Sequence, residues 1–329
     1  MNLSHMKAVL VTGGAGYIGS HICKALAKKG YLPVTVDNLS TGNRQAVKWG
    51  PFFEGDIGDQ KLIKSLLEAH PICGTIHLAA YSNVRESQQI PLKYYQNNVG
   101  STLKLLEVLL EKKIAPFVFS STCAVYGMPQ KVPIEETHPK NPINPYGESK
   151  LMVEKVLQTI PDLDYAILRY FNAAGADLEG DIGESHDPET HLIPLLIQTA
   201  LGKRETFTLN GDDHETEDGT PIRDFIHVID LAHAHILAFE KLLEEKESLV
   251  LNLGTGKGYS VQDVISYIEE KAEGKIPIVK GQRFRGDPPT LIANGTKAMK
   301  TLHWKPSLDL SKMIETAWNW YQQSVEIGV

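Results

Sequence analysis

The sequence predicts an α/β protein whose main sheet is parallel and carries helices on both faces. Two observations predict it. Short apolar runs alternate with segments of helical period through the first half of the chain, and the runs are apolar almost throughout. Continuous apolar strands favour a sheet that is buried on both faces, and alternation with helices favours parallel pairing. This is the doubly wound architecture.

Five apolar runs of the first half are predicted strands. They are Lys7–Thr12, Leu32–Asp37, Thr75–Ala80, Phe117–Thr122 and Tyr165–Phe171. Helical periodicity between them predicts helices at Gly16–Lys28 and Asn98–Lys112. Together these elements form the larger domain, for which we expect residues 1–172.

Beyond about Asn172 the chain becomes richer in loops. Gly175–Glu189 and Gly211–Thr220 are polar connections. The elements predicted around them are helices at Leu192–Leu201, Val228–Glu244, Val261–Ala272 and Leu310–Gln323, and a strand at Val250–Leu253. We expect residues 173–329 to form mainly a smaller α/β domain that binds the substrate, with crossings back to the first domain.

Composition and charge exclude several classes of protein. No apolar run approaches the roughly 18 residues of a membrane span, and no leader of the secretory type starts the chain. The net charge of −7 argues against nucleic acid as a partner. Cys23, Cys73 and Cys123 are odd in number, widely spaced and without a CxxC pair. They predict a reducing compartment, the cytoplasm, and no thiolate zinc site.

A glycine motif follows the first strand and opens the first helix. Gly13, Gly16 and Gly19 have the spacing GxxGxxG, a variant of the dinucleotide fingerprint of Rossmann-type folds. The first permits a tight turn, the second lets amides approach a pyrophosphate, and the third lets helix and strand pack closely. Asp37 closes the second strand, where it can accept a hydrogen bond from a ribose 2′-hydroxyl. Because it would repel a 2′-phosphate, NAD is favoured over NADP.

Tyr146 and Lys150 form a YxxxK pair on a helix that starts with Asn144 and Pro145, as an N-cap and a first-turn proline should. Residues four apart share a helix face. A phenol has an ordinary pKa of about 10, and a nearby ammonium together with a nicotinamide cation would lower it. Alone, such a pair is more typical of a solvated helix face. After a dinucleotide fingerprint, it predicts that Tyr146 accepts a proton from a sugar hydroxyl.

A hydroxyl-rich segment ends the fourth predicted strand of the larger domain. Ser120, Ser121 and Thr122 lie at its carboxyl end, where open parallel sheets place their ligands. Thr122 can hydrogen-bond the hydroxyl that Tyr146 deprotonates. The two serines are equally consistent with capping of a strand end.

In combination, these motifs resemble the extended short-chain dehydrogenase/reductase family. The segments that carry the resemblance are GGAGYIGSH, SSTCAVYG, NPYGESK, LRYFNAAGA and EDGTPIRDFIHV, and it covers residues 7 to about 321. The resemblance implies a tightly held NAD that oxidises C4 of a UDP-bound hexose, turnover of the 4-keto sugar in the pocket, and return of the hydride to its other face. The implied enzyme is an isomerase of UDP-glucose and UDP-galactose, and the implied assembly is a homodimer.

The resemblance also implies roles for individual residues. Tyr146 takes the 4′-hydroxyl proton, Lys150 binds the nicotinamide ribose, and Thr122 stands where the family has Ser or Thr. Arg223 faces the diphosphate, because a guanidinium fork suits phosphate oxygens. Further candidates for cofactor binding are Tyr17, Ile18, Asn38, Asp56, Ile57, Ala79, Ala80, Asn97, Ser120 and Tyr170. Further candidates for substrate binding are Asn172, His191, Leu192, Arg285 and Asp287. Asp56 is equally consistent with a solvated loop.

Several departures from the family keep alternatives open. Ser82 stands where many members have a lysine near the cofactor pyrophosphate, and the second arginine of the family's Arg-Arg-x-Gly-Asp pattern is displaced to Arg285. Leu291 takes the place of a variable residue beside the sugar. The alternatives are another UDP-sugar (an N-acetylhexosamine, pentose or uronate), a net oxidoreductase, and an NAD-binding module without catalysis.

The sequence disfavours water elimination and metal binding. Related dehydratases place Asp-Glu after the threonine for water elimination, whereas Cys123 and Ala124 follow Thr122 here. His227, His233 and His235 are close in sequence, but their spacing matches no metal signature. We therefore expect no metal.

Overall fold

The computed structural model of the protein describes residues 6–284 and 286–326, the last three of them by their backbone alone. Its strands are β1 (Ala8–Thr12), β2 (Leu32–Asp37), β3 (Phe52–Glu54), β4 (Ile72–His77), β5 (Phe117–Thr122), β6 (Tyr165–Tyr170), β7 (Asn172–Ala174), β8 (Phe207–Asn210), β9 (Ile222–His227), β10 (Leu249–Leu253), β11 (Gly258–Ser260), β12 (Ile278–Gly281) and β13 (Thr290–Leu291). Its α-helices are α1 (Tyr17–Lys28), α2 (Gln60–Ala69), α3 (Val84–Gln89), α4 (Pro91–Tyr94), α5 (Thr102–Glu111), α6 (Pro145–Leu157), α7 (Leu192–Ala200), α8 (Val228–Glu245), α9 (Val261–Ala272), α10 (Thr296–Thr301) and α11 (Leu310–Glu326).

The main sheet has seven parallel strands in the order β10-β6-β5-β4-β1-β2-β3. The predicted fold class is confirmed. The strand order reverses direction between β1 and β4, and a crevice opens there beyond the carboxyl ends of the strands. The fold therefore places the ends of β1, β2, β4 and β5 around one crevice.

Helices cover both faces of this sheet. Successive residues of β1 point to opposite faces, so Val9 and Val11 join the core beneath α1 and α8, whereas Leu10 joins the core beneath α2, α5 and α6. All five residues of β1 are buried. Full burial of an aliphatic side chain contributes about 1.5–3 kcal/mol. Burial on both faces explains why the strand is an unbroken apolar run.

The smaller domain has its own core. Strand β9 pairs with β7, β11 and β13, and β8 pairs with β12. Helices α7, α9 and α11 pack around a third apolar cluster. Two elements of the second half lie elsewhere, since β10 is an edge strand of the main sheet and α8 packs against α1. The chain thus crosses back to the first body after β9, and the boundary at residue 172 remains our interpretation.

Two predicted elements differ most from the structure. The predicted strand Thr75–Ala80 is β4, which begins earlier at Ile72 and ends at His77. The predicted helix Asn98–Lys112 is a π-helix over Tyr95–Ser101 followed by α5. The cause lies in Asn98, whose buried side chain accepts from the amide of Tyr81 at 2.9 Å and donates to its carbonyl at 3.0 Å. Apolar periodicity does not register such a tertiary bond.

Among the helices of the described chain, none combines the length and the apolarity needed to cross a membrane.

Candidate active site

The glycine motif forms a tight turn between β1 and α1. Gly13 has a φ of +72°, a conformation that disfavours side chains. A Cβ on Gly19 would lie 2.1 Å from the carbonyl oxygen of Gly13, so the helix can lie against the turn only without a side chain there. Gly16 is the N-cap, and among the described residues no side chain caps α1 and no acid occupies its first turn. Its first amides therefore suit the pyrophosphate of NAD.

Asp37 lies at the end of β2, beside this turn. Its side chain accepts from the amide of Ala15 at 3.0 Å and from that of Leu39 at 2.9 Å. Burial raises the pKa of Asp37, and the two amide bonds oppose this shift. Asn38 and Asp56 follow at the same edge, with Asn38 Nδ2 at 3.5 Å from Asp56 Oδ2. This acidic edge fits an unphosphorylated ribose.

Helix α6 holds the tyrosine and lysine pair, and it begins as its sequence predicts. The side chain of Asn144 accepts from the amide of Gly147 at 2.8 Å, and Pro145 occupies the first turn. Tyr146 and Lys150 are 8% and 4% exposed. Lys150 Nζ donates to the carbonyl oxygen of Ser120 at 2.8 Å. The lysine is thus fixed between its helix and the end of β5.

Burial shifts the pKa of both members of the pair. Burial lowers the pKa of Lys150 to about 7. Burial also raises the pKa of Tyr146, and the hydrogen bond with the Thr122 hydroxyl lowers it only in part. The predicted lowering relied on two cations near the phenol, and the protein's own residues supply at most the partly charged Lys150. By themselves they therefore keep Tyr146 protonated, and the charge of a bound nicotinamide is needed to favour the phenolate.

Ser120 and Thr122 take different positions at the end of β5. Thr122 is 7% exposed and lines the cleft. Ser120 is fully buried, its hydroxyl lies 2.9 Å from His235 Nε2 on α8, and it is absent from the described lining of the cleft. The structure therefore links Ser120 to the cleft through Lys150, which donates to its carbonyl oxygen, and a direct contact with the cofactor remains a prediction.

The substrate side of the cleft is built from the smaller domain. Arg223 on β9 forms an ion pair with Asp287, with Nη2 2.6 Å from Oδ1. Asp287 is thus already paired, and a uridine ribose would have to share it. The partner that the sequence proposes for the diphosphate, Arg285, lies outside the described residues. Arg283 donates to the carbonyl oxygen of Asp287 at 3.2 Å and so supports the loop.

One cleft of about 970 Å³ brings these groups together. It is lined by the glycine turn and by Tyr146, Lys150 and Thr122. The other predicted residues that line it are Tyr17, Ile18, Asp37, Asn38, Asp56, Ile57, Ala79, Ala80, Asn97, Tyr170, Asn172, His191, Leu192, Arg223 and Asp287. The individual contacts assigned to them remain predictions.

Sequence reasoning missed Arg85, which also lines the cleft. Its guanidinium carbon lies 3.6 Å from the centroid of the Phe284 ring, on the loop that carries Asp287. The available indication was its place three residues after Ser82, where the family's lysine is lacking. Arg85 therefore places a positive charge on the side of the cleft that carries Phe284 and Asp287.

The three histidines that are close in sequence do not converge on a metal among the described residues. His227 Nε2 lies 3.1 Å from the Thr316 hydroxyl, and His235 Nδ1 lies 2.8 Å from the carbonyl oxygen of Leu231. Burial lowers the pKa of His227 to about 3 and that of His235 to about 4. Both are neutral packing residues, and His233 is exposed.

The fold and the site define the class to which the protein belongs. A parallel sheet that carries a dinucleotide turn faces a tyrosine and lysine pair across one cleft, as in enzymes that use a nicotinamide cofactor on a hydroxyl group. The model of the NAD dependent epimerase/dehydratase family matches residues 9–254. The chain belongs to this family, and the resemblance carried by its motifs is confirmed.

Relatives match along nearly the whole chain. A UDP-glucose 4-epimerase of Rhizobium leguminosarum bv. trifolii is 51% identical over 321 residues, covering 97% of this chain and 98% of the relative. The crystal structure of the UDP-glucose 4-epimerase of Brucella ovis with NAD has a TM-score of 0.92 at 47% identity, covering 95% and 98%. That of Bifidobacterium longum, in complex with NAD+ and UDP, has a TM-score of 0.93 at 37% identity, covering 97% and 99%.

Proposed function

We propose that the protein is an NAD-dependent isomerase that interconverts UDP-glucose and UDP-galactose at C4. One observation carries the proposal: the glycine turn, Tyr146 and Arg223 open on a single cleft. The full-length likeness to UDP-glucose 4-epimerases supports the same reaction.

The residues of the cleft have separate roles in the proposed reaction. When bound, NAD supplies the acceptor and donor of the hydride at C4. The amides that begin α1 hold its pyrophosphate, and Asp37 holds its adenosine ribose. Tyr146 Oη takes the proton of the 4-hydroxyl and returns it, while Thr122 fixes the direction of that hydroxyl. Arg223 and Asp287 hold the UDP group, so that the sugar can turn over without leaving.

The segment after Thr122 supports isomerisation over water elimination. Elimination needs an acid and a base beside the sugar. Cys123 and Ala124 occupy the two positions that would supply them. Burial raises the pKa of the Cys123 thiol to about 12, so it does not exchange protons readily at neutral pH. Proton transfer at the sugar is therefore left to Tyr146.

The first test needs no added cofactor. The purified protein is incubated with UDP-galactose, and UDP-glucose is followed by chromatographic separation. We expect conversion, because the glycine turn and Asp37 should hold NAD through purification. NAD recovered from the denatured protein without conversion would overturn the choice of substrate, and release of NADH in stoichiometric amounts would indicate a net oxidoreductase instead.

The same assay with UDP-N-acetylgalactosamine addresses the alternative substrates. Leu291 lines the cleft and is smaller than an aromatic residue. Faster conversion of the N-acetylated sugar than of UDP-galactose would assign the enzyme to N-acetylhexosamines.

We also propose that the enzyme is a cytoplasmic homodimer that acts in galactose metabolism. All three cysteines are free, as expected in a reducing compartment. The outward faces of α5 and α6 expose Leu103, Leu110 and Met152, each between 37% and 39%. Leu103 and Leu110 are seven residues apart and so share one face. A second copy of the chain is the partner that these apolar faces fit.

The dimer is tested by mass in solution. Light scattering should give two chains of 36.4 kDa each for the unmodified protein. The double change of Leu103→Glu and Leu110→Glu should give one chain, because like charges would face each other across the interface. An exposed leucine elsewhere, Leu178, serves as the control through Leu178→Glu. A monomer before any substitution would contradict the proposal.

A further inference from the structure

Two glutamates and two histidines converge beside the cleft, on the loop that connects β7 with α7. The side chains are those of Glu184, His186, Glu189 and His191, whose donor atoms all lie within 4.8 Å of one another. We propose that they bind one divalent transition-metal ion, and that zinc fits them best. The expectation of no metal concerned the spacing of His227, His233 and His235, and it did not include these four side chains.

The distances suit a four-coordinate ion. Zinc bonds of about 2.0–2.1 Å in tetrahedral geometry place neighbouring donor atoms about 3.3 Å apart. His186 Nδ1 lies 3.3 Å from an oxygen of Glu184 and 3.6 Å from one of Glu189. His191 Nδ1 lies 3.8 Å from the same oxygen of Glu189. Three of the six pairs of donor atoms therefore lie near the spacing that an ion imposes.

The pair formed by His191 and Glu184 must open for the ion to enter. His191 Nδ1 is hydrogen-bonded directly to Glu184. The His191 side chain is 52% exposed, so its ring can turn away from the carboxylate into space beside the cleft. When the ion binds, His191 Nδ1 and the Glu184 oxygen lose the hydrogen bond between them, and each atom gains a bond to the ion.

His186 provides an independent indication. Its Nδ1 is buried from solvent, and yet it makes no hydrogen bond of acceptable geometry among the described residues. The atom points at both carboxylates from distances longer than a normal hydrogen bond. A buried nitrogen in that position is better satisfied by an ion between it and the carboxylates.

The charge of the cluster balances with a divalent ion. The side chains of Glu184 and Glu189 are 6% and 3% exposed, and two buried carboxylates need two positive charges. A divalent ion held by two neutral imidazoles supplies both of these charges. Imidazole ligands favour zinc over magnesium or calcium.

Two side chains of α11 donate hydrogen bonds to residues of the cluster. Tyr321 donates to Glu189 Oε2 at 3.1 Å, and Trp320 Nε1 donates to the carbonyl oxygen of Glu184 at 2.9 Å. Outer hydrogen bonds of this kind orient metal ligands. With four protein ligands, the site is of the closed, structural type. The ion would brace the loop whose last residue, His191, lines the cleft.

A second acidic cluster of the protein has no room for a metal ion at its centre. Asp177, Glu179 and Asp181 also lie close together. Lys24 Nζ already occupies their centre, at 2.6, 2.7 and 2.7 Å from their oxygens. An ammonium fills that cluster, and we assign it no metal.

Metal content tests the site directly. The full-length protein, with any polyhistidine tag removed, is equilibrated with zinc chloride, dialysed and analysed by plasma mass spectrometry. We expect about one zinc per chain, and less than about 0.1 in His186→Ala and Glu189→Gln, because each loses one of four ligands. His233→Ala removes an exposed histidine outside the cluster and should keep the full content.

Cobalt provides a second readout that does not depend on the variants. Co²⁺ in a tetrahedral site of nitrogen and oxygen ligands gives intense visible absorption, and added zinc should abolish it. Absence of this spectrum from the unmodified protein, or zinc content unchanged in His186→Ala, would overturn the assignment. Retained NAD and circular dichroism check that the variants fold. Neither readout uses turnover, so the result is independent of the proposed reaction.

Discussion

Tyr146→Phe should lower the rate of UDP-galactose conversion by roughly 10²–10⁴-fold, the usual contribution of a positioned acid or base. The substitution removes one oxygen and leaves a ring of the same shape. Tyr146 is 8% exposed in a cleft that its ring helps to line, so the fold and the cofactor site should remain intact. NAD recovered per chain should match the unmodified enzyme.

The matched control is Tyr267→Phe, on an exposed part of α9. It removes the same oxygen from a tyrosine outside the cleft and should leave the rate unchanged. If Tyr146→Phe turned over UDP-galactose at the original rate, another group would have to carry the proton, and the role assigned to the pair on α6 would be wrong.

Gly19→Ala should strongly reduce the amount of NAD that the protein binds. The new Cβ would lie 2.1 Å from the Gly13 carbonyl oxygen and 2.8 Å from the Gly14 Cα, and both are backbone atoms that no rotamer change can move. Helix α1 must shift away from the turn, which displaces the amides that face the pyrophosphate. Overpacking of this kind costs about 1–3 kcal/mol of folding stability. We expect NAD to fall to a small fraction per chain, and the thermal midpoint to fall with it.

Gly274→Ala is the appropriate comparison for this variant. The nearest atom to the added Cβ is 3.7 Å away, which is an ordinary van der Waals contact. The NAD content and the thermal midpoint should therefore equal those of the unmodified protein. Gly19→Ala with a full complement of NAD would show that the turn tolerates a side chain and that the close approach is not required.

The parts of the site that depend on local pattern could be predicted from the sequence. The glycine turn, Asp37 at the end of β2 and the pair on α6 follow from the order of residues and from which edge of a parallel sheet they reach. Asp287 was placed correctly on the cleft, but its pairing with Arg223 joins residues 64 apart and no spacing predicts it.

What could not be predicted depends on desolvation and on distant partners. Lys150 and a nicotinamide cation were expected to lower the pKa of Tyr146. Burial opposes this by lowering the pKa of Lys150 and raising that of Tyr146, and burial is a property of the folded whole. The π-helix around Asn97 likewise depends on the bonds that Asn98 makes with Tyr81. The hydrogen bond between the Ser120 hydroxyl and His235 likewise joins distant residues, and no spacing predicts it.

The return of the chain to the main sheet has a consequence for folding. Residues 228–253 supply α8, which covers one face of the first domain, and β10, which completes its edge. A fragment cut at residue 172 would leave β6 as an open edge and uncover the apolar side of α1. Neither half of the chain is then a folding unit in itself. The main sheet is complete only once synthesis of the chain has passed β10, and the cleft also needs Asp287 and Leu291 beyond it.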